Sequence, residues 1–200
     1  MDFNEENIQK LLPPYLTQDK KEHLEKAIKS FPNIEYFTRN YMSDILQGDI
    51  WNSLEVHDAQ SSQKKLIKGI LLSNSCDMDR ANKRYAPILI TFAPIIKLSD
   101  YSNFLKKYGP LAERVDDKIC AIRNQHVSNI FYLPTHPTLE EEHIALLDDL
   151  HTIKLDSFEK VKERQKLLTL SQIGFYVFLF KLSVHFCRFH EGIDRYPSYL

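Results

Sequence analysis

Residues 68–80 read Lys-Gly-Ile-Leu-Leu-Ser-Asn-Ser-Cys-Asp-Met-Asp-Arg, an apolar run that passes straight into a dense polar cluster. Polar groups at the end of a buried strand are held rigidly and still reach solvent, where catalytic and binding groups often sit. Metal-independent RNA cleavage needs a base for the 2′-hydroxyl and a cation for the developing phosphate charge. Ser73, Asp77 and Arg80 are the catalytic candidates, with Asp77 as base and Arg80 as the nearest cation. Cys76 would serve as a thiolate only beside a base or cation such as His126 or Arg80. No thiol-enzyme histidine motif accompanies it, so a small buried apolar Cys76 beside a turn-capping Asp77 is the stronger reading. Position also predicts that the Asp77 carboxylate is at least half buried, bonded to backbone N–H groups or to Arg80, Arg84 or Arg123.

Basic residues bracket this stretch on both sides. Lys64, Lys65 and Arg84 could contact phosphates, and Trp51 could stack a base, if the flanking loops converge. The competing reading is a pair of solvated loops balanced by Asp58, Asp77 and Asp79. Asp77, Asp79, His126 and His136 lack the glycine and terminal glutamate of a calcium loop. His185, Cys187 and His190 lie two and five residues apart, off the four-residue spacing that joins ligands on a helix. No metal is predicted. No P-loop, G-x-G-x-x-G, G-x-S-x-G or H-E-x-x-H pattern occurs, and no cofactor is predicted.

Elements must position these groups, and 200 residues at 43% hydrophobic suffice for one sizeable core. The 26 basic and 27 acidic residues leave a net charge of -1, which argues against a strongly cationic nucleic-acid binder. Cys76, Cys120 and Cys187 form no C-x-x-C pair, and with the acidic residues 1–6 they predict a cytoplasmic protein with free thiols. The apolar run at 173–189 is interrupted by Lys181 and His185 and is too short to span a bilayer, so no membrane partner is predicted.

The expected architecture is α+β. A helical arm occupies residues 1–47, including one helix broken by Phe31-Pro32-Asn33 and another over 34–46. Residues 48–200 form a small bent antiparallel β-barrel of SH3-like kind, with an inserted helix and a C-terminal apolar helix. Strands are expected over 66–72, 85–98 and 127–133, with Pro87 and Pro94 restricting the second to an edge, a bulge or a strand end. Residues 101–123 read as helix with a Gly109-Pro110 break, and 140–153 fit strand or helix equally. Residues 158–166 read as charged surface, and 170–189 as a helix with Ser171 as cap.

Gly48-Asp49-Ile50-Trp51, a polar loop and then Lys68-Gly-Ile-Leu-Leu-Ser73 resemble the opening of the MazF/PemK toxin barrels. That resemblance implies an SH3-like barrel, dimers and cleavage of single-stranded RNA, with Ser73 at the position of the family's hydroxyl. Gln63-Lys64-Lys65 stands where the family carries an arginine-proline pair. Over about two thirds of its length the chain is also similar to a group of uncharacterised bacterial proteins built around S-x-[ST]-C-D. Leu71-Leu72-Ser73-Asn74-Ser75-Cys76-Asp77, Phe131-Tyr132-Leu133-Pro134 and His185-Phe186-Cys187-Arg188 carry it. The expected function is a bacterial protein-interaction module of a toxin-antitoxin or phage-defence system, with a protein partner or homodimer. The alternative is a MazF-like endoribonuclease acting on RNA.

Overall fold

Apolar runs separated by short polar turns build an α+β fold. The computed structural model describes residues 33–57, 63–82, 85–110 and 112–186, together with Glu22. Among these are strands β1 Phe37–Thr38, β2 Ile50–His57, β3 Lys64–Leu71, β4 Leu89–Lys97, β5 Ile130–Leu133, β6 His143–Leu146, β7 His151–Lys154 and β8 Lys166–Leu170. The helices are α1 Ser75–Met78, α2 Leu98–Tyr108, α3 Val115–Arg123, α4 Leu155–Glu159 and α5 Gln172–Phe186. All strand pairs are antiparallel, in the order β1-β8-β2-β3-β4-β6-β5 with β7 also on β4, and the sheet curls into a half-barrel.

β4 is the strand on which the sheet turns. Leu89–Phe92 pair with β7 and Ile95–Lys97 with β6, while Phe92–Pro94 pair with β3. Pro94 falls in the gap between the β7 and β6 pairings, so its missing N–H breaks neither ladder. The sequence allows an edge, a bulge or a strand end; Pro94 lies inside the sheet, tolerated because the partner beside it changes there from β7 to β6.

Three apolar clusters hold the layers. Phe131 and Leu133 of β5 face Val177 and Phe178 of α5, whereas Ile130 and Tyr132 face Val115, Ile119 and Ile122 of α3. The two-residue period of a strand thus buries β5 on both faces. Inside the curl, Trp51, Leu54, Ile90 and Phe92 enclose Phe158 of α4, whose ring lies edge-on to Trp51 at 5.1 Å.

Several expectations are revised. Residues 34–46 are not a helix: Phe37 pairs with Leu170 of β8, Tyr36 and Phe37 enter the core, and a turn follows. Residues 1–32 of the expected arm, apart from Glu22, lie outside the described residues. Residues 158–166 are not all surface, because Phe158 and Lys166 are buried. The ambiguous segment contains β6 and β7, and α2, α3 and α5 occupy the helical runs, broken at Gly109 and Pro110 as read. No helix among the described residues is long and apolar enough to cross a membrane.

α5 begins as its sequence suggests, with the Ser171 hydroxyl accepting the Gly174 N–H at 3.0 Å. Gly174 lets the helix lie on the backbone ahead of β1, since an added Cβ would stand 2.3 Å from the Tyr36 carbonyl oxygen. Gly174→Ala is therefore expected to cost about 1–3 kcal/mol through overpacking. Urea unfolding would show it as a lower midpoint with an unchanged slope; an unchanged midpoint would mean that the contact is not close.

Candidate functional site

The polar run after β3 folds onto its own backbone. The Ser73 hydroxyl accepts the Thr91 N–H at 2.8 Å, and Leu72 donates its N–H to the Thr91 carbonyl. The Asn74 side chain caps α1 by accepting the Cys76 N–H at 2.9 Å. The Ser75 hydroxyl accepts the Gln47 N–H at 2.9 Å, and the Gln47 amide donates back to the Leu72 carbonyl at 2.7 Å. The segment before β2 and the segment after β3 are thereby clasped together, which joins the two motifs singled out in the sequence.

Asp77 and Cys76 are both exposed on the single turn of α1. This overturns the expected half burial of Asp77 and the reading of Cys76 as a buried apolar residue. The physical reason is that Met78, not Asp77, turns inward from this short helix. Arg80 reaches away to α4, donating to Asp156 at 2.6 Å and to Glu159. Those hydrogen bonds hold the guanidinium even more firmly protonated than usual.

The other candidates are dispersed. Lys64 and Lys65 stand at the opposite end of β3 from Ser73, roughly 25 Å along the strand at 3.3 Å per residue. Lys64 is paired with Glu55 at 2.8 Å. Trp51 is buried and packs on Phe158, so its ring faces cannot take a base. Arg84 lies outside the described residues. His136 accepts the Thr138 N–H through Nδ1 and stands edge-on to Phe37, its pKa lowered by burial. Among the described residues no three His, Cys, Asp or Glu side chains gather as a metal cluster would.

The structure brings together a different set of groups, around Asp49. Asp49 is 0% exposed, and its Oδ2 accepts the Leu46 N–H at 2.7 Å and the Lys166 ammonium at 2.7 Å. The same ammonium donates to the Tyr41 carbonyl at 2.6 Å and the Asp44 carbonyl at 3.0 Å. Tyr41 holds the left-handed conformation at φ 59°, which is uncommon for a residue with a side chain. Burial pushes the Asp49 carboxyl up from the usual aspartate range, and Lys166, the Leu46 amide and Thr169 partly oppose it. Asp49 Oδ1 and the Thr169 hydroxyl face one another without a formed hydrogen bond.

Above this anchor lies an open groove of about 420 Å³. Phe37, Leu46, Leu170 and Phe175 give it apolar surface, while Asn40, Gln47, Ser75 and Gln172 add amides and hydroxyls. Glu35 is the one charged side chain among the described residues that line it. Gly48, at φ +85°, runs so close beneath that an added Cβ would stand 2.8 Å from Leu170 Cδ1. The sequence signal for the anchor was Asp49 itself, an acid between a glycine and an apolar strand. Its partner could not be seen, because Lys166 is 117 residues away, from position 49 to position 166.

Comparison with known protein families and with curated proteins finds no match for this chain.

Removing one partner of a buried pair leaves an uncompensated charge, so Lys166→Met should cost about 3–5 kcal/mol. The double variant Asp49→Leu with Lys166→Met should lose less than the two single losses combined. A double-mutant cycle by chemical denaturation measures the coupling; strict additivity would mean that the two residues stand independently.

Proposed function

We propose that the chain is a protein-interaction module of the kind used in bacterial toxin-antitoxin and phage-defence systems, and that the groove beside Gln47 and Ser75 is its recognition surface. The observation that carries this reading is the clasp between the two motif segments. Their polar groups are spent on shaping the groove wall, not on assembling a reacting centre. The lining suits an extended peptide segment, whose amides match Asn40, Gln47 and Gln172 and whose lysine or arginine matches Glu35.

The MazF-like alternative is supported by the resemblance over residues 48–73, but its parts are separated. A base at Asp77, a cation at Arg80 and the basic pair at Lys64 and Lys65 do not converge, and Arg80 is engaged by two carboxylates. Pure protein incubated with a mixed single-stranded RNA pool, with and without EDTA, is expected to leave the RNA intact. Cleavage that Asp77→Asn abolishes would instead establish the nuclease reading.

For the interaction reading, Glu35→Lys and Tyr41→Ala are the informative variants, because both side chains line the groove and Tyr41 is 64% exposed. A partner cross-linked to the groove in native cells should be lost from both variants while their melting temperatures stay near wild type. Light scattering on the same proteins tells whether that partner is a second copy. A chain that stays monomeric and cross-links to nothing through the groove would overturn the proposal.

A further inference from the structure

The apolar helix α5 carries a lysine on the face that it buries. Lys181 is 3% exposed, yet its ammonium would have three N–H donors. Among the described residues one is received, by the Gln125 backbone carbonyl at 2.5 Å. Gln125 is itself fixed: its side chain donates to the Tyr132 carbonyl at 2.9 Å and accepts the Tyr132 N–H at 3.1 Å. Its backbone adopts φ 57°, the left-handed conformation, so the carbonyl that meets Lys181 is held by a strained and doubly bonded residue.

Among the described residues no carboxylate pairs with the Lys181 amine. Among the described residues, the titratable groups on the elements around α5 are Glu35 and Tyr36 ahead of β1, His126 beside Gln125, Tyr132 on β5, Lys166 on β8 (already paired with Asp49) and, on α5, Tyr176 and His185. Tyr36 is buried beside the Gln125 side chain, and burial pushes its hydroxyl up to about 12. Tyr132 is held above the usual tyrosine range by burial and by its hydrogen bond to Glu142. That carboxylate is in turn occupied by Arg123, which donates to it at 2.8 and 2.6 Å. Tyr36 and Tyr132 are therefore neutral at ordinary pH, and the two histidines can add only positive charge.

We propose that Lys181 makes the docking of α5 proton-linked: the helix packs with its amine uncharged, and uptake of one proton loosens α5 while the sheet beneath stays paired. Desolvation alone brings the Lys181 amine down to about 7 in the docked state. An undocked lysine titrates near 10.4. Between those values the loosened state binds more protons than the docked one, so docking strengthens as pH rises and weakens as pH falls. Below about 7 the dependence levels off, because both states are then protonated.

Two measurements on the full chain test this. The Lys181 Cε resonance, followed by NMR in the wild-type protein, is expected to titrate near neutrality. A midpoint in the ordinary lysine range would overturn the proposal without recourse to any variant. Hydrogen exchange, corrected for intrinsic rates, is expected to show α5 losing protection by up to about tenfold per pH unit from about pH 9 to 7. Amides of β4 and β6 should keep theirs, and Lys181→Met should remove the difference. Wild-type α5 protection that moves in step with β4 and β6, or a Lys181→Met protein with the wild-type pH dependence, would also overturn it.

Discussion

The ion pair between Asp49 and Lys166 is the constraint on which the groove end of the molecule rests. A lysine sealed from water must find acceptors for each of its N–H groups, and three separate points on residues 41–49 supply them. One ammonium thus gathers a turn that contains no regular structure of its own. The same residues lead directly into β2, so β8 and β2 are brought into register at the place where Ile50 meets Leu168. The anchor thus adds to the support that the Gln47 clasp already has from Ser75 and Leu72. The interaction does not have to add net stability to matter. A buried pair often contributes little against an apolar substitute, and its geometric demand still selects one arrangement.

Much of the framework was legible because it rests on local pattern. Residues 66–72 and 127–133 are apolar runs of strand length, and 101–123 and 170–189 carry helical periodicity or continuous apolarity. The failures share a cause. β1 has two residues and exists because β8 offers a partner, so the sequence around Phe37 shows only apolar spacing that a helix would also satisfy. Phe158 and Lys166 sit among charges in the sequence, yet the first fills the curl of the sheet and the second reaches Asp49. Both depend on contacts with residues 49–54, more than a hundred positions away, which composition cannot report.

The polar run after β3 is misleading for a related reason. Ser73, Asn74 and Ser75 were conspicuous because polar residues crowd behind an apolar strand, and that signal correctly marked a structured corner. It did not reveal what the hydroxyls and the amide would bond to. They accept Thr91, Cys76 and Gln47 N–H groups, a local solution to the orphaned donors that arise when a strand ends and a helix begins. Asp77, the most chemically suggestive member, sits on the exposed side of the turn.

The place of β8 between β1 and β2 bears on how the chain is made. β2, β3 and β4 follow one another closely and can pair as soon as they leave the ribosome. β1 and the outer edge of β2 wait for residues 166–170, more than a hundred positions later. During translation of the intervening stretch that edge offers unsatisfied N–H and C=O groups beside uncovered apolar surface. A nascent chain of this topology is therefore most vulnerable to mispairing and chaperone capture late in synthesis, and relief comes only when β8 slots into the space kept for it.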